Sequence, residues 1–137
     1  MKRKDFQALA AVRLKEARVL LRAGCYEGAY YLAGYAVECA LKACISKQTE
    51  RHEFPDRDRA RRIHTHKLEA LVAEAELDVS LKEAERTNPE LKENWSPVRD
   101  WSEQSRYDRP SRLEAENLTK AIGDRRHGVL RWLRQHM

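Results

Sequence analysis

Glycine and proline are scarce in this chain, with 5 and 4 copies among 137 residues. A β-sandwich or β-barrel needs a turn about every 8–12 residues, so this small supply of turn residues excludes an all-β fold. Charged residues interrupt every apolar stretch well before the roughly 18–20 residues that a membrane-spanning helix needs. The length suits one domain around one core. We therefore expect a single domain over residues 1–137 that does not enter a membrane.

Cysteine is also rare, and its pattern excludes a disulfide scaffold. The three cysteines, Cys25, Cys39 and Cys44, are odd in number and have no CxxC spacing. The first residues do not resemble a secretory signal, so a reduced, cytoplasmic protein is expected. His64 and His66 stand close together, but no paired cysteines accompany them as in structural zinc sites. We expect no metal and no cofactor.

Charge is abundant and unevenly distributed. Charged residues make up 36% of the chain, the net charge is +5, and 18 of the 27 basic residues are arginine. Bases dominate residues 2–22, 51–67 and 125–136, whereas acids dominate residues 74–93. This distribution favours binding to a polyanion or to a partner of complementary charge. It leaves open whether the acidic segment is a contact surface or a solvated loop.

Apolar residues recur at helical spacing in three long segments and two shorter ones. The segment Arg57–Arg62 lies in a charged stretch without such periodicity and predicts a loop. We therefore predict an all-α, up-and-down bundle of four to five helices. The predicted helices are Asp5–Ala23, Glu27–Gln48, His66–Ala75, one that begins at Asn88-Pro89, and a long one that runs from the capping box Ser111–Glu114 to Leu133.

Arginine and histidine together are the residue types in this sequence best suited to RNA cleavage without a metal. Histidine can move protons at a ribose 2′-hydroxyl or at a leaving oxygen, and arginine can stabilise the charge that develops on a phosphate. Five pairs have an arginine followed by four to six residues and then a histidine, against about two expected by chance from the composition. Most of this excess comes from one arginine-rich loop. The pairs are Arg57 and Arg59 with His64, Arg59 and Arg61 with His66, and Arg131 with His136.

A second candidate is the pair Glu38 and Lys42, which are four residues apart beside the apolar stripe of the second helix. At this spacing two opposite charges on a helix usually form a partly exposed ion pair worth a few tenths of a kcal/mol. The alternative is a polar group held inside a cleft or an interface.

Three stretches together resemble the HEPN family of small α-helical prokaryotic domains. Residues 20–43 read LLRAGCYEGAYYLAGYAVECALKA, residues 64–71 read HTHKLEAL, and residues 94–107 read NWSPVRDWSEQSRY. In the first stretch Glu38 and Lys42 match the polar pair of the family motif. The resemblance implies a helical bundle that is commonly a homodimer and often pairs with a nucleotidyltransferase-fold antitoxin.

The resemblance also implies a metal-independent ribonuclease, the toxin of such a pair, whose motif is an arginine, four to six residues, and a histidine. Arg106 matches the arginine, but the histidine is absent, because residues 111–113 are Ser, Arg and Leu. His66 or His64 is the candidate for supplying an imidazole from another loop.

The alternative function is a catalytically inactive HEPN module that binds nucleotide or RNA, or docks a nucleotidyltransferase partner. Its candidate binding residues are Arg57, Arg59, Arg61, Arg62 and Tyr107. In a third interpretation, Arg106 and Tyr107 only fasten a helix end to the core.

Overall fold

A computed structural model describes residues 1–51, 61–62 and 65–137, with the side chains of Arg51 and Arg106 outside the description. The described residues form seven α-helices and one 3₁₀ helix, and they contain no β-strand. This confirms the all-α prediction, with more helices than the four to five expected. The helices are α1 (Arg3–Arg22), α2 (Tyr26–Arg51), α3 (Leu68–Glu74), α4 (Asp78–Thr87), α5 (Pro89–Asp100), the 3₁₀ helix (Glu103–Tyr107), α6 (Arg112–Gly123) and α7 (Val129–Arg134).

Helix α2 is the centre of the bundle. It packs against α1, α3, α6, α7 and the 3₁₀ helix. Its alanines, among them Ala33, Ala36 and Ala40, are fully buried and let neighbouring helices approach closely. α1 joins it through a tight turn at Gly24, whose φ of +80° lies in the left-handed region that favours glycine.

The C-terminal region corrects one prediction, because the expected single helix from Ser111 to Leu133 is two helices. Ser111 begins α6 with the predicted capping box, in which its hydroxyl accepts from the Glu114 N–H and the Glu114 carboxylate accepts from the Ser111 N–H, both at 3.1 Å. After Gly123, the Asp124 carboxylate accepts from the N–H groups of Arg126 and His127 at 2.8 and 2.9 Å. This turn competes with helical hydrogen bonding and ends α6.

The acidic segment is folded rather than a solvated loop. Half of it, Asp78–Thr87, forms α4, which the sequence did not predict, and α4 packs against α5. Glu85 on α4 is 8% exposed and accepts two hydrogen bonds from the Arg99 guanidinium on α5, both at 3.2 Å. At least one acidic residue of this segment therefore serves to join two helices.

Two of the three cysteines have the environment of unreactive thiols. Cys39 and Cys44 are buried and free, and Cys25 is exposed. Burial raises the pKa of Cys39 to about 11 and that of Cys44 to about 12. None of the helices in the described ranges is long and apolar enough to cross a bilayer.

Candidate functional site

One face of α2 carries a small residue followed by two charged ones, spaced by four residues: Gly34, Glu38 and Lys42. Trp101, which ends α5, lies directly over Gly34, and a Cβ at this glycine would be 2.1 Å from the indole ring. Tyr31 and Tyr35 flank the same indole with ring centroids 6.1 and 6.4 Å away. The missing side chain at position 34 therefore allows the end of α5 to rest on α2.

Glu38 is the buried charge of this face. Its side chain is 1% exposed, against 16% for Lys42 and 34% for His66. The carboxylate accepts from His66 Nδ1 at 2.7 Å and from Lys42 Nζ at 3.4 Å. The ion pair predicted from spacing therefore has a buried acid and a partly buried base, and His66, 28 positions away, is its third member.

His66 connects α2 to the 3₁₀ helix. Its second ring nitrogen, Nε2, lies 3.3 Å from the Glu103 carboxylate, at the first residue of the 3₁₀ helix. Arg106 is the fourth residue of the same helix. His66 and the 3₁₀ helix that includes Arg106 therefore meet within one chain, and Trp101, just before this helix, packs on Gly34.

The negative charge of this cluster affects its neighbours. Burial raises the pKa of Tyr35, and the nearby Glu38 carboxylate raises it further. The pKa of Cys39 is raised by the same two causes in the same order. Because His66 lies between two carboxylates, a doubly protonated ring can donate to both, and a neutral ring can donate to one. We use the name His66 cluster for Glu38, Lys42, His66 and Glu103.

The other site residues predicted in and beside the arginine-rich loop are either exposed or outside the described residues. Arg57, Arg59 and His64 lie outside the described residues. Arg61 and Arg62 are exposed, and the Arg62 guanidinium pairs with the Glu74 carboxylate.

Tyr107 is 71% exposed, whereas Trp101 and Ser105, in the same segment, are buried. In the last arginine–histidine pair, His136 packs on the Trp132 ring at 4.7 Å, and burial lowers the pKa of this histidine.

Sequence reasoning missed Glu103, Trp101 and the role of Gly34. The available signal was indirect, since Glu103 and Trp101 belong to the stretch 94–107 that carried the family resemblance. No spacing rule connects that stretch to His66 or to α2. Among residues 1–51, 61–62 and 65–137, no group of three or more His, Cys, Asp or Glu side chains is arranged to hold a metal ion.

Comparison with known families agrees with this architecture. A family model described as HEPN domain matches residues 7–135, nearly the whole chain. Searches of curated proteins and of solved structures gave no match. The family match spans the hairpin of α1 and α2, the His66 cluster and the helices that follow it. The chain therefore belongs to the HEPN domain family.

Proposed function

We propose that this protein is a metal-independent endoribonuclease, the toxin-like component of a HEPN and nucleotidyltransferase pair, acting in the cytoplasm as a homodimer. Membership of the HEPN family supports an RNA-related or nuclease-type function in general. One observation supports the specific site: His66 is held by Glu38 at 2.7 Å and lies 3.3 Å from Glu103, on the short helix that includes Arg106.

In the proposed reaction the ribose 2′-oxygen attacks the adjacent phosphorus and the bond from phosphorus to the 5′-oxygen breaks. The proton of the 2′-hydroxyl passes to a base, and the departing 5′-oxygen takes up a proton. The products are a 2′,3′-cyclic phosphate and a 5′-hydroxyl end. His66 is the proposed proton-transfer group, and Arg106 the proposed partner for the charge on phosphate.

Glu38 has a positioning role in this proposal. Its buried carboxylate accepts from Nδ1 of His66, which fixes the ring orientation and leaves Nε2 facing Glu103. A substrate oxygen must then come within about 2.6–3.2 Å of Nε2. Glu103 occupies that direction now, and its side chain is 35% exposed, so RNA binding requires this side chain to rotate outward.

The test is cleavage of single-stranded RNA in the presence of EDTA. We expect the wild type to cut, and His66→Ala and Arg106→Ala each to lose roughly 100-fold or more, the usual range for a proton-transfer or charge-stabilising group. His136→Ala is the matched control, because this histidine packs on Trp132 outside the His66 cluster. Full activity in both site variants would refute the proposed roles.

A specific observation favours the alternative, a HEPN module that binds nucleotide or RNA, or a nucleotidyltransferase partner, without catalysis. The positions where the family motif has its histidine serve the helix instead: Ser111 caps α6, and Arg112 pairs with Glu116 at 2.7 Å. If this alternative holds, the purified wild type leaves RNA intact but binds it, and Arg106→Ala weakens that binding. Cleavage that His66→Ala abolishes would exclude it.

A further inference from the structure

A cleft lies where α1 meets the turn between α6 and α7. It has a volume of about 400 Å³ and shares no residue with the His66 cluster. Its floor is apolar and includes Leu14 on α1 and Leu130 on α7. Its rim is basic and carries four exposed arginines from three separate parts of the chain, namely Arg18, Arg125, Arg131 and Arg134.

This positive charge is not neutralised locally. The one acid among the lining residues is Asp124, so the rim has four positive charges against one negative. The Asp124 carboxylate is engaged by backbone: the N–H groups of His127 and Arg126 donate to it and lower its pKa. In the part of the chain that the structure describes, no ion pair includes any of the four arginines.

Two of the guanidiniums are positioned by carbonyl groups rather than by carboxylates. Arg18 Nη2 donates to the Gly123 carbonyl at 3.0 Å, and Arg131 Nη1 donates to the Arg125 carbonyl at 2.6 Å. A carbonyl acceptor orients a guanidinium without cancelling its charge, and each guanidinium keeps further N–H donors. A Cβ at Gly123 would lie 2.4 Å from Arg18 Nη2, so a larger residue there would displace this guanidinium.

We propose that this cleft binds a phosphate group, either a phosphodiester of an RNA strand or the phosphate of a free nucleotide. Arginine is suited to phosphate because its planar fork can donate two parallel hydrogen bonds. The volume lies within the roughly 300–1,000 Å³ of small-ligand pockets. The RNA version of this proposal rests on the proposed ribonuclease function. In it, the cleft holds the RNA substrate at a second point, outside the His66 cluster.

The test compares two double variants that remove the same amount of charge. Arg131→Gln with Arg134→Gln alters the cleft, and Arg86→Gln with Lys92→Gln alters exposed positions on α4 and α5 outside it. Binding of a fluorescent single-stranded RNA is measured over a range of salt concentrations. We expect the cleft variant to bind about tenfold more weakly or worse, as losing charge-assisted hydrogen bonds implies. The slope of log K against log salt should become shallower by about 1.4, for two lost phosphate contacts.

ATP and inorganic phosphate, each titrated as a competitor of the RNA, identify the source of the phosphate. Competition by ATP at micromolar concentration indicates a nucleotide site, and its absence together with a weakened RNA complex indicates the strand backbone. Gly123→Ala is a second perturbation, which should weaken the same ligand by displacing Arg18. Equal effects of the cleft and control variants on every ligand would overturn the proposal. The His66→Ala variant tests the proposed function alone. Its loss of RNA cleavage with unchanged RNA affinity would support that function, and would not test binding in the cleft.

Discussion

Replacing Glu38 by alanine is predicted to destabilise the protein far more than removing an ordinary carboxylate on a helix surface. The Glu38 side chain is 1% exposed and accepts from His66 at 2.7 Å and Lys42 at 3.4 Å. The variant leaves two donors without their acceptor and opens a void beside α2. Both effects act in the same direction on the free energy of unfolding.

The magnitude follows from the exposure of the partners. Breaking a fully buried ion pair costs about 3–5 kcal/mol, because the remaining charge stays buried. Here His66 and Lys42 are 34% and 16% exposed, so water can partly replace the lost carboxylate. A hydrogen bond to a charged group is worth about 1.5–3 kcal/mol. We therefore expect Glu38→Ala to lose about 2–3 kcal/mol, and Glu38→Gln, which keeps an acceptor oxygen for His66, to lose about half as much.

Urea denaturation followed by circular dichroism measures this difference. The control is Glu83→Ala, which removes an exposed i,i+3 ion pair with Arg86 on α4 and should cost at most about 0.5 kcal/mol. If Glu38→Ala lost no more stability than this control, the buried carboxylate would contribute nothing to the fold, and the account of the His66 cluster as a fixed element would be wrong.

Two further predictions concern packing and thiol reactivity. Gly34→Ala places a methyl group within 2.1 Å of the Trp101 ring and should cost about 1–3 kcal/mol in urea denaturation, so an unchanged midpoint would show that the end of α5 does not rest on α2 as described. At pH 8 a thiol reagent such as DTNB should modify Cys25 alone in the folded protein, because burial raises the pKa of Cys39 to about 11 and of Cys44 to about 12. Three rapidly reacting thiols would contradict the buried positions, and the two slow ones should react once urea unfolds the chain.

Local patterns were sufficient for most helices and insufficient for the site. The stripe of α2 and the capping box at Ser111 are signals within one segment, so their positions were predictable from sequence. The break between α6 and α7 was missed because the apolar spacing continues from Ile122 to Val129, although Gly123 and Gly128 flank the turn. Periodicity reports which face is buried and does not report where a side chain such as that of Asp124 ends a helix.

The His66 cluster depends on contacts between distant segments. The spacing of Glu38 and Lys42 predicted an ion pair, and the resemblance directed attention to His66, but neither indicated that the three meet. That contact depends on how α3 and the 3₁₀ helix pack on α2, and in particular on Gly34 admitting Trp101. Such long-range packing has no signature at fixed spacing in one sequence.

The most direct test of the central claim is a double-mutant cycle on RNA cleavage in EDTA. If His66 and Arg106 act in one site, each single alanine variant loses roughly 100-fold, and the double variant loses about as much as the worse single one, as for groups that act as a unit. Losses that multiply to roughly 10,000-fold would mean that the two residues act independently. A wild type that leaves RNA uncut under these conditions would contradict the ribonuclease assignment itself.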